Sequence, residues 1–228
     1  MVITPAEEKA LLAVVRDSST TGLRNRAMVQ LMLGAGLRVS EVCALRGVDV
    51  DLQRGEVRVN EGKGGKDRVV PVAAETRGWL QAWAGKREAL GLNGRAPFFV
   101  GIREGPTGQG NREKGQGLGV RYVQTLVARL AAAAGIEKRV SPHTLRHTYA
   151  TRRLNEGFNV REVQTLLGHS NVSTTQVYTH VSPDELRAKV QAQDATEQPD
   201  PATLELAKVL QALPAEQRLA LVAALTPK

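Results

Sequence analysis

The chain has 228 residues, 42% apolar and 24% charged, with one cysteine and a formal net charge of +8. That is an ordinary globular composition, and a lone Cys43 excludes an internal disulfide and a multi-thiol zinc site. No run of residues approaches the roughly 18 to 20 apolar positions that cross a bilayer, and Met1-Val2-Ile3-Thr4 carries no secretion signal, so a cytoplasmic protein without membrane contact is expected.

Lys and Arg total 31 against 23 Asp and Glu, a balance that favours polyanionic partners. The excess is uneven. Asp184 to Lys228 holds five basic and seven acidic residues, net −2, which leaves +10 on the preceding 183. The tail is therefore not the part expected to face a polyanion.

Thr4-Pro5-Ala6-Glu7 reads as a capping box, with a helix from Pro5 to about Val15. A second helix is expected from Leu23 to Gly34 with Met28, Leu31 and Met32 on one side, and a third from about Ser40 to Leu45. The period then changes to two: Gly55 to Asn60 and Arg68 to Val72 flank a Gly62-Lys63-Gly64-Gly65-Lys66 turn, predicting a β-hairpin joined by a short strand near Val48 to Leu52. Thr76 to Leu90 is a helix whose Trp79 and Trp83 belong to the core.

Gly101 to Gly119 reads as a mobile surface loop, equally open to ordering against DNA or to being a tolerated insertion. Helices follow at Val120 to Ala134, Pro142 to Glu156, Val160 to Leu167 and Ser173 to Val181. A polar linker, Gln191 to Pro201, precedes an amphipathic segment, Ala202 to Leu225, interrupted by Pro214. The fold class is mainly α with a small antiparallel β-sheet (α+β), and no phosphate-loop or dinucleotide fingerprint occurs.

All four histidines fall between positions 143 and 180. Ser141-Pro142 caps a helix that places His143 and Arg146 on one face near unpaired backbone N–H groups, a setting suited to a phosphate. Leu167-Gly168-His169 ends the next helix with a histidine, and Tyr178 follows nine residues later. Arg38 stands at a helix junction with Glu41 placed to orient it, and Lys63 and Lys66 flank the hairpin glycines. His143 and His147 have the i,i+4 spacing of a zinc helix but lack a following glutamate and a third ligand, so no metal is expected.

Gly36-Leu37-Arg38, the Gly62-Lys63-Gly64 hairpin, His143 to His147, Leu167-Gly168-His169 and Thr174 to His180 together resemble the tyrosine recombinase (phage integrase) family, in the same order, over roughly Pro5 to Val181. The resemblance implies that Tyr178 attacks a DNA phosphodiester to give a 3'-phosphotyrosyl enzyme and a free 5'-hydroxyl, with no cofactor. Arg38 and Arg146 would clamp the non-bridging oxygens, Lys63 (rather than Lys66) would protonate the leaving oxygen, His143 would assist proton transfer and His169 would hydrogen-bond the phosphate. Glu41 would support Arg38, and His147 and His180 would be structural or supporting. Tyr149 and Tyr122 are the rival nucleophiles, Tyr149 expected to be buried.

The same resemblance implies double-stranded DNA as partner, a homo-oligomer (tetramer) on it, and location at the nucleoid. Residues 1–182 would be the catalytic domain and 183–228 a linker and helical tail that either packs on a neighbouring subunit or folds back. Family members usually carry a core-binding domain ahead of this one, and only 37 residues precede Arg38, so weak, salt-sensitive DNA association is expected. A type IB topoisomerase-like relaxase and a DNA-binding module without strand transfer are the competing readings.

Overall fold

The computed structural model describes residues 1–60, 67–102, 115–168 and 183–197, with the backbone alone at 183 and 193–197. Helix α1 (Pro5–Ala13) starts where its cap dictates. The Thr4 hydroxyl accepts from the Glu7 N–H at 3.2 Å and the Glu7 carboxylate accepts from the Thr4 N–H at 2.7 Å, satisfying two donors that a helix start leaves unpaired. Helix α2 (Thr20–Ala35) begins earlier than the expected Leu23, because Ser19 takes the cap and its Oγ accepts from the Gly22 N–H at 3.0 Å.

α2 is the centre of the core. Ala27, Met28, Val29, Leu31 and Met32 are wholly buried and Leu33 nearly so, which widens the expected one-sided stripe to the full circumference. The reason is that α4 (Ala74–Ala89) and α6 (Pro142–Asn155) both pack against it. Trp83 on α4 is buried and its indole N–H donates to the Phe98 carbonyl at 2.9 Å, while Trp79 is partly buried with the Arg26 guanidinium 4.8 Å above its ring. Both are core residues, as expected.

Between α2 and α4 lie α3 (Val39–Ala44), a 3-10 turn (Gly47–Asp49) and three strands, β1 (Val50–Asp51), β2 (Glu56–Val59) and β3 (Arg68–Pro71). They form one antiparallel sheet in the order β1-β2-β3, with Val57 opposite both Val50 and Val70, and Val59 opposite Arg68. This register turns Val57, Val59 and Val70 into the core. The hairpin tip with Lys63 and Lys66 lies outside the described residues.

Helix α5 (Val120–Ala133) follows the glycine-rich segment, whose residues 103–114 also lie outside the description. Its two ends are pinned rather than loose: the Gly101 N–H donates to the Gln116 carbonyl at 2.8 Å and the Leu118 N–H to the Phe99 carbonyl at 3.1 Å. Helix α7 (Val160–Leu167) buries Val163, Leu166 and Leu167 in a smaller cluster with Tyr149 and Phe158. Leu186 and Val190 of α8 (Pro183–Glu197) complete that cluster, within the compact unit that runs from Met1 to Ala192.

α8 corrects the expected linker at Gln191. The helix continues to Glu197, because Gln191 to Glu197 contains no glycine or proline and the next breaker is Pro199. The helix expected over Ser173 to Val181 and the segment Ala202 to Leu225 lie outside the described residues. No described helix is long and apolar enough to cross a membrane.

Candidate active site

Arg38 occupies the N-cap of α3 in an extended conformation, three residues before Glu41. The Glu41 carboxylate turns back on it: Oε2 accepts from the Arg38 backbone N–H at 2.7 Å and Oε1 from Arg38 Nη1 at 2.7 Å. Only 6% of the Glu41 side chain is exposed. A second arginine, Arg68 on β3, grips the same carboxylate with both ends of its fork, Nη1 to Oε1 at 3.0 Å and Nη2 to Oε2 at 2.9 Å.

Arg146 enters from α6, which starts where Ser141 accepts from the Thr144 N–H at 3.3 Å and Pro142 takes the first helical position. Its Nη1 donates to the Gly36 carbonyl at 2.6 Å and its Nη2 to the Leu167 carbonyl at 2.7 Å. Nη1 also lies 3.9 Å from Glu41 Oε2. The two carbonyls belong to the C-terminal ends of α2 and α7, where helices leave acceptors unpaired and the dipole is negative. Two helix ends therefore fix one guanidinium beside Glu41.

Those helix ends need glycine. Gly36 (φ 63°) and Gly168 (φ 66°) both adopt the left-handed conformation that stops α2 and α7. A Cβ on Gly36 would fall 2.4 Å from Tyr149 Cδ1, and one on Gly168 would fall 2.7 Å from Arg68 Cδ. Arg38 Nη2 approaches the Gly168 carbonyl at 3.4 Å, so the turn that leads to residue 169 rests directly on this cluster.

Burial pushes the Arg146 guanidinium down to about 10, helped by the positive charges of Arg38 and Arg68 and opposed by Glu41. It remains a cation at neutral pH. Burial alone would raise Glu41, but the hydrogen bonds from Arg68 and Arg38 hold it below the ordinary carboxylate value. Three guanidiniums thus share one carboxylate, two positive charges in excess. A phosphodiester is a planar-fork target that such a site can neutralise.

His143 is exposed, and its ring stacks on that of His147 with centroids 5.9 Å apart and planes 24° from parallel. His147 is exposed as well. Arg38, Glu41 and Arg146 are brought together as the sequence analysis expects. Lys63, His169, Tyr178 and His180 lie outside the described residues, which end on one side at Gly168.

The rival tyrosines have other employment. Tyr149 is fully buried, and burial pushes its hydroxyl above the ordinary tyrosine value, with Arg153 pulling the other way. Tyr122 accepts from Arg24 and donates to Asn25 Oδ1 at 3.3 Å. Arg68 is the residue that sequence reasoning missed. Its signal is the strand period: Arg68 shares a face with buried Val70, whereas Val69 between them is 41% exposed. Among the described residues no three His, Cys, Asp or Glu side chains gather as a metal site would require.

The mainly helical fold with its small antiparallel sheet is that of tyrosine recombinase catalytic domains. The chain belongs to the phage integrase family, whose model matches residues 1–185. It is 44% identical over 187 residues to the tyrosine recombinase XerD of Ralstonia nicotianae, covering 81% of this chain and 57% of that protein. It is 43% identical over 189 residues to XerA of Thermococcus kodakarensis, covering 81% and 60%. Among solved structures, a XerA recombinase superposes with a TM-score of 0.64 at 33% identity, covering 87% of this chain and 64% of that one. The XerH recombinase bound to its difH substrate in a pre-cleavage complex gives 0.61 at 25% identity, covering 87% and 55%. The chain therefore spans under two thirds of the length of these relatives.

Proposed function

We propose that this chain is the catalytic domain of a site-specific DNA recombinase that cleaves and rejoins double-stranded DNA through a 3'-phosphotyrosyl intermediate. The observation that carries this reading is the cluster of Arg38, Arg68 and Arg146 around Glu41, whose excess positive charge suits a phosphodiester entering a pentacoordinate transition state. The relatives named tyrosine recombinases, and the XerH complex with its DNA substrate, support the same reaction.

In this reaction the Tyr178 oxygen forms a bond to phosphorus while the bond from phosphorus to the 5'-oxygen breaks. Lys63 supplies the proton to the departing oxygen, and His143 assists the proton that leaves Tyr178. Arg38 and Arg146 hold the two non-bridging oxygens, and His169 adds a hydrogen bond to the phosphate. The phosphoryl bond is kept as a tyrosyl ester, so the reverse attack by a 5'-hydroxyl rejoins the strand without ATP. The charge is neutralised by arginine forks, so no cofactor is assigned to the step.

Residues 1–182 would form this catalytic domain, working at the nucleoid as a tetramer on DNA, with 183–228 as the tail. The test is a denaturing gel of the protein incubated, with chelator, with a nicked duplex that traps cleavage, beside Tyr178→Phe. A covalent DNA band in the parent alone is the expected result. A band of equal strength in Tyr178→Phe would overturn the assignment of the nucleophile, and no band in a folded parent on any duplex would favour a binding module.

A further inference from the structure

Arg68 makes more of the site's contacts than its place in a short strand suggests. Both ends of its fork are on Glu41, its Nε reaches the Leu166 carbonyl at 3.3 Å, and its side chain is 12% exposed. Its aliphatic stem lies so close to Gly168 that a Cβ there would meet Cδ at 2.7 Å. One side chain thus joins three parts of the molecule: strand β3, the carboxylate that holds Arg38, and the turn that ends α7.

We propose that Arg68 is a positioning residue for phosphodiester cleavage: it orients Glu41, and through it Arg38 and Arg146, and seats the Gly168 turn against them. This rests on the recombinase reading of the site and goes beyond it by assigning a role to a residue that need not touch the DNA. Glu41 has two carboxylate oxygens and three arginines around it. Arg38 holds Oε1 through Nη1 and Oε2 through its own backbone N–H, two separate groups, so a side-on grip on the carboxylate plane falls to the partner whose single planar fork meets both oxygens. That partner is Arg68.

Lysine cannot replace it, because a single ammonium lacks the planar fork that fits a carboxylate side-on. Arg68→Lys keeps the charge and most of the stem, so the fold and the field that attracts DNA persist while the carboxylate loses its second anchor. A misplacement of about an ångström at the reacting centre costs on the order of 100-fold in rate.

The experiment measures single-turnover formation of the covalent adduct on a nicked duplex, at saturating DNA, together with duplex affinity and melting temperature. Arg68→Lys should slow the saturating rate by about 10- to 100-fold with duplex affinity within about twofold of the parent, and Arg68→Gln should be slower still. In a Glu41→Gln background Arg68→Lys should add less than about threefold, since the two act as a unit. A parental saturating rate in Arg68→Lys, or an undiminished effect in the Glu41→Gln background, overturns the proposal.

A second probe does not need cleavage. Inorganic phosphate should raise the melting temperature of the parent by binding between Arg38 and Arg146, and Arg68→Lys should lose most of that rise while melting near the parent without phosphate. If the parent forms no adduct, the recombinase reading falls, and the positioning role is then decided by the phosphate shift alone: its loss supports the role and its retention refutes it.

Discussion

Two buried arginines in this protein face opposite problems. Among the described residues Arg24 on α2 pairs with no carboxylate: it donates to the Val100 carbonyl at 2.7 Å, to Asn25 Oδ1 at 2.9 and 3.2 Å, and to Tyr122, and burial lowers its pKa. Its work is to tie α2 to the segment at Val100 and to Tyr122 of α5. Arg146 is equally enclosed but sits among like charges, beside Arg38 and Arg68 with one carboxylate between them. A buried arginine is therefore no sign of function by itself. An accumulation of cations that the protein only partly neutralises is such a sign, because the remainder is left for a ligand.

The comparison can be broken at either end. The largest effect is expected from Arg146→Lys, which keeps the charge but loses the fork: adduct formation should fall by about 10² to 10³-fold, equivalent to about 3–4 kcal/mol of transition-state stabilisation. A gel time course on the nicked duplex measures it. If the rate were parental, the cluster would be structural and the contrast with Arg24 would vanish.

Glu41→Gln should cost about 3 kcal/mol of stability, since it leaves three arginines around an uncharged amide. The pH dependence has a definite sign. Glu41 has a folded-state pKa below its ordinary value of 4.5, so the unfolded chain takes up this proton first. Its contribution is complete above about pH 4.5 and fades as the pH falls through the lower folded-state value. Denaturation of both proteins from pH 7 to pH 3 should therefore show the gap closing only at the acid end.

Arg24→Met, in contrast, should lower stability by about 2 kcal/mol, because the Val100 carbonyl and the Asn25 and Tyr122 side chains lose a buried partner. Urea denaturation measures the loss, and the adduct rate of the folded protein should stay within about twofold of the parent. A rate loss of 10-fold or more would bring Arg24 into the functional cluster.

The smallest effect belongs to α8. Lys189 donates to both Glu162 oxygens at 2.8 and 3.0 Å and stands 4.5 Å from the centre of the Phe158 ring. Lys189→Ala should cost about 0.5–1 kcal/mol in thermal or urea denaturation, because the pair is partly solvated. Leu186 and Val190 are buried in the Tyr149 cluster and are untouched by this change.

Much of the fold was legible from local chemistry. The Thr4 and Ser141 caps, the Gly36 and Gly168 stops and the period-two strands around the hairpin are decided within a few residues, so sequence spacing suffices. α2 starts ahead of its apolar pattern because Ser19 outcompetes that pattern as the boundary, and α8 passes Gln191 because nothing in Gln191 to Glu197 breaks a helix. Arg38 and Glu41 were legible as a pair because they are three apart across a helix start.

What the sequence determined alone is the set of charges and the order in which they come. What the tertiary structure decided is which of them share a carboxylate. Arg68 and Arg146 lie 78 positions apart in the chain, and they meet at Glu41 only because β3, α6 and the ends of α2 and α7 converge there. Spacing along a chain fixes neighbours within one helix or strand. Convergence of distant side chains depends on packing around a core, which no local pattern encodes.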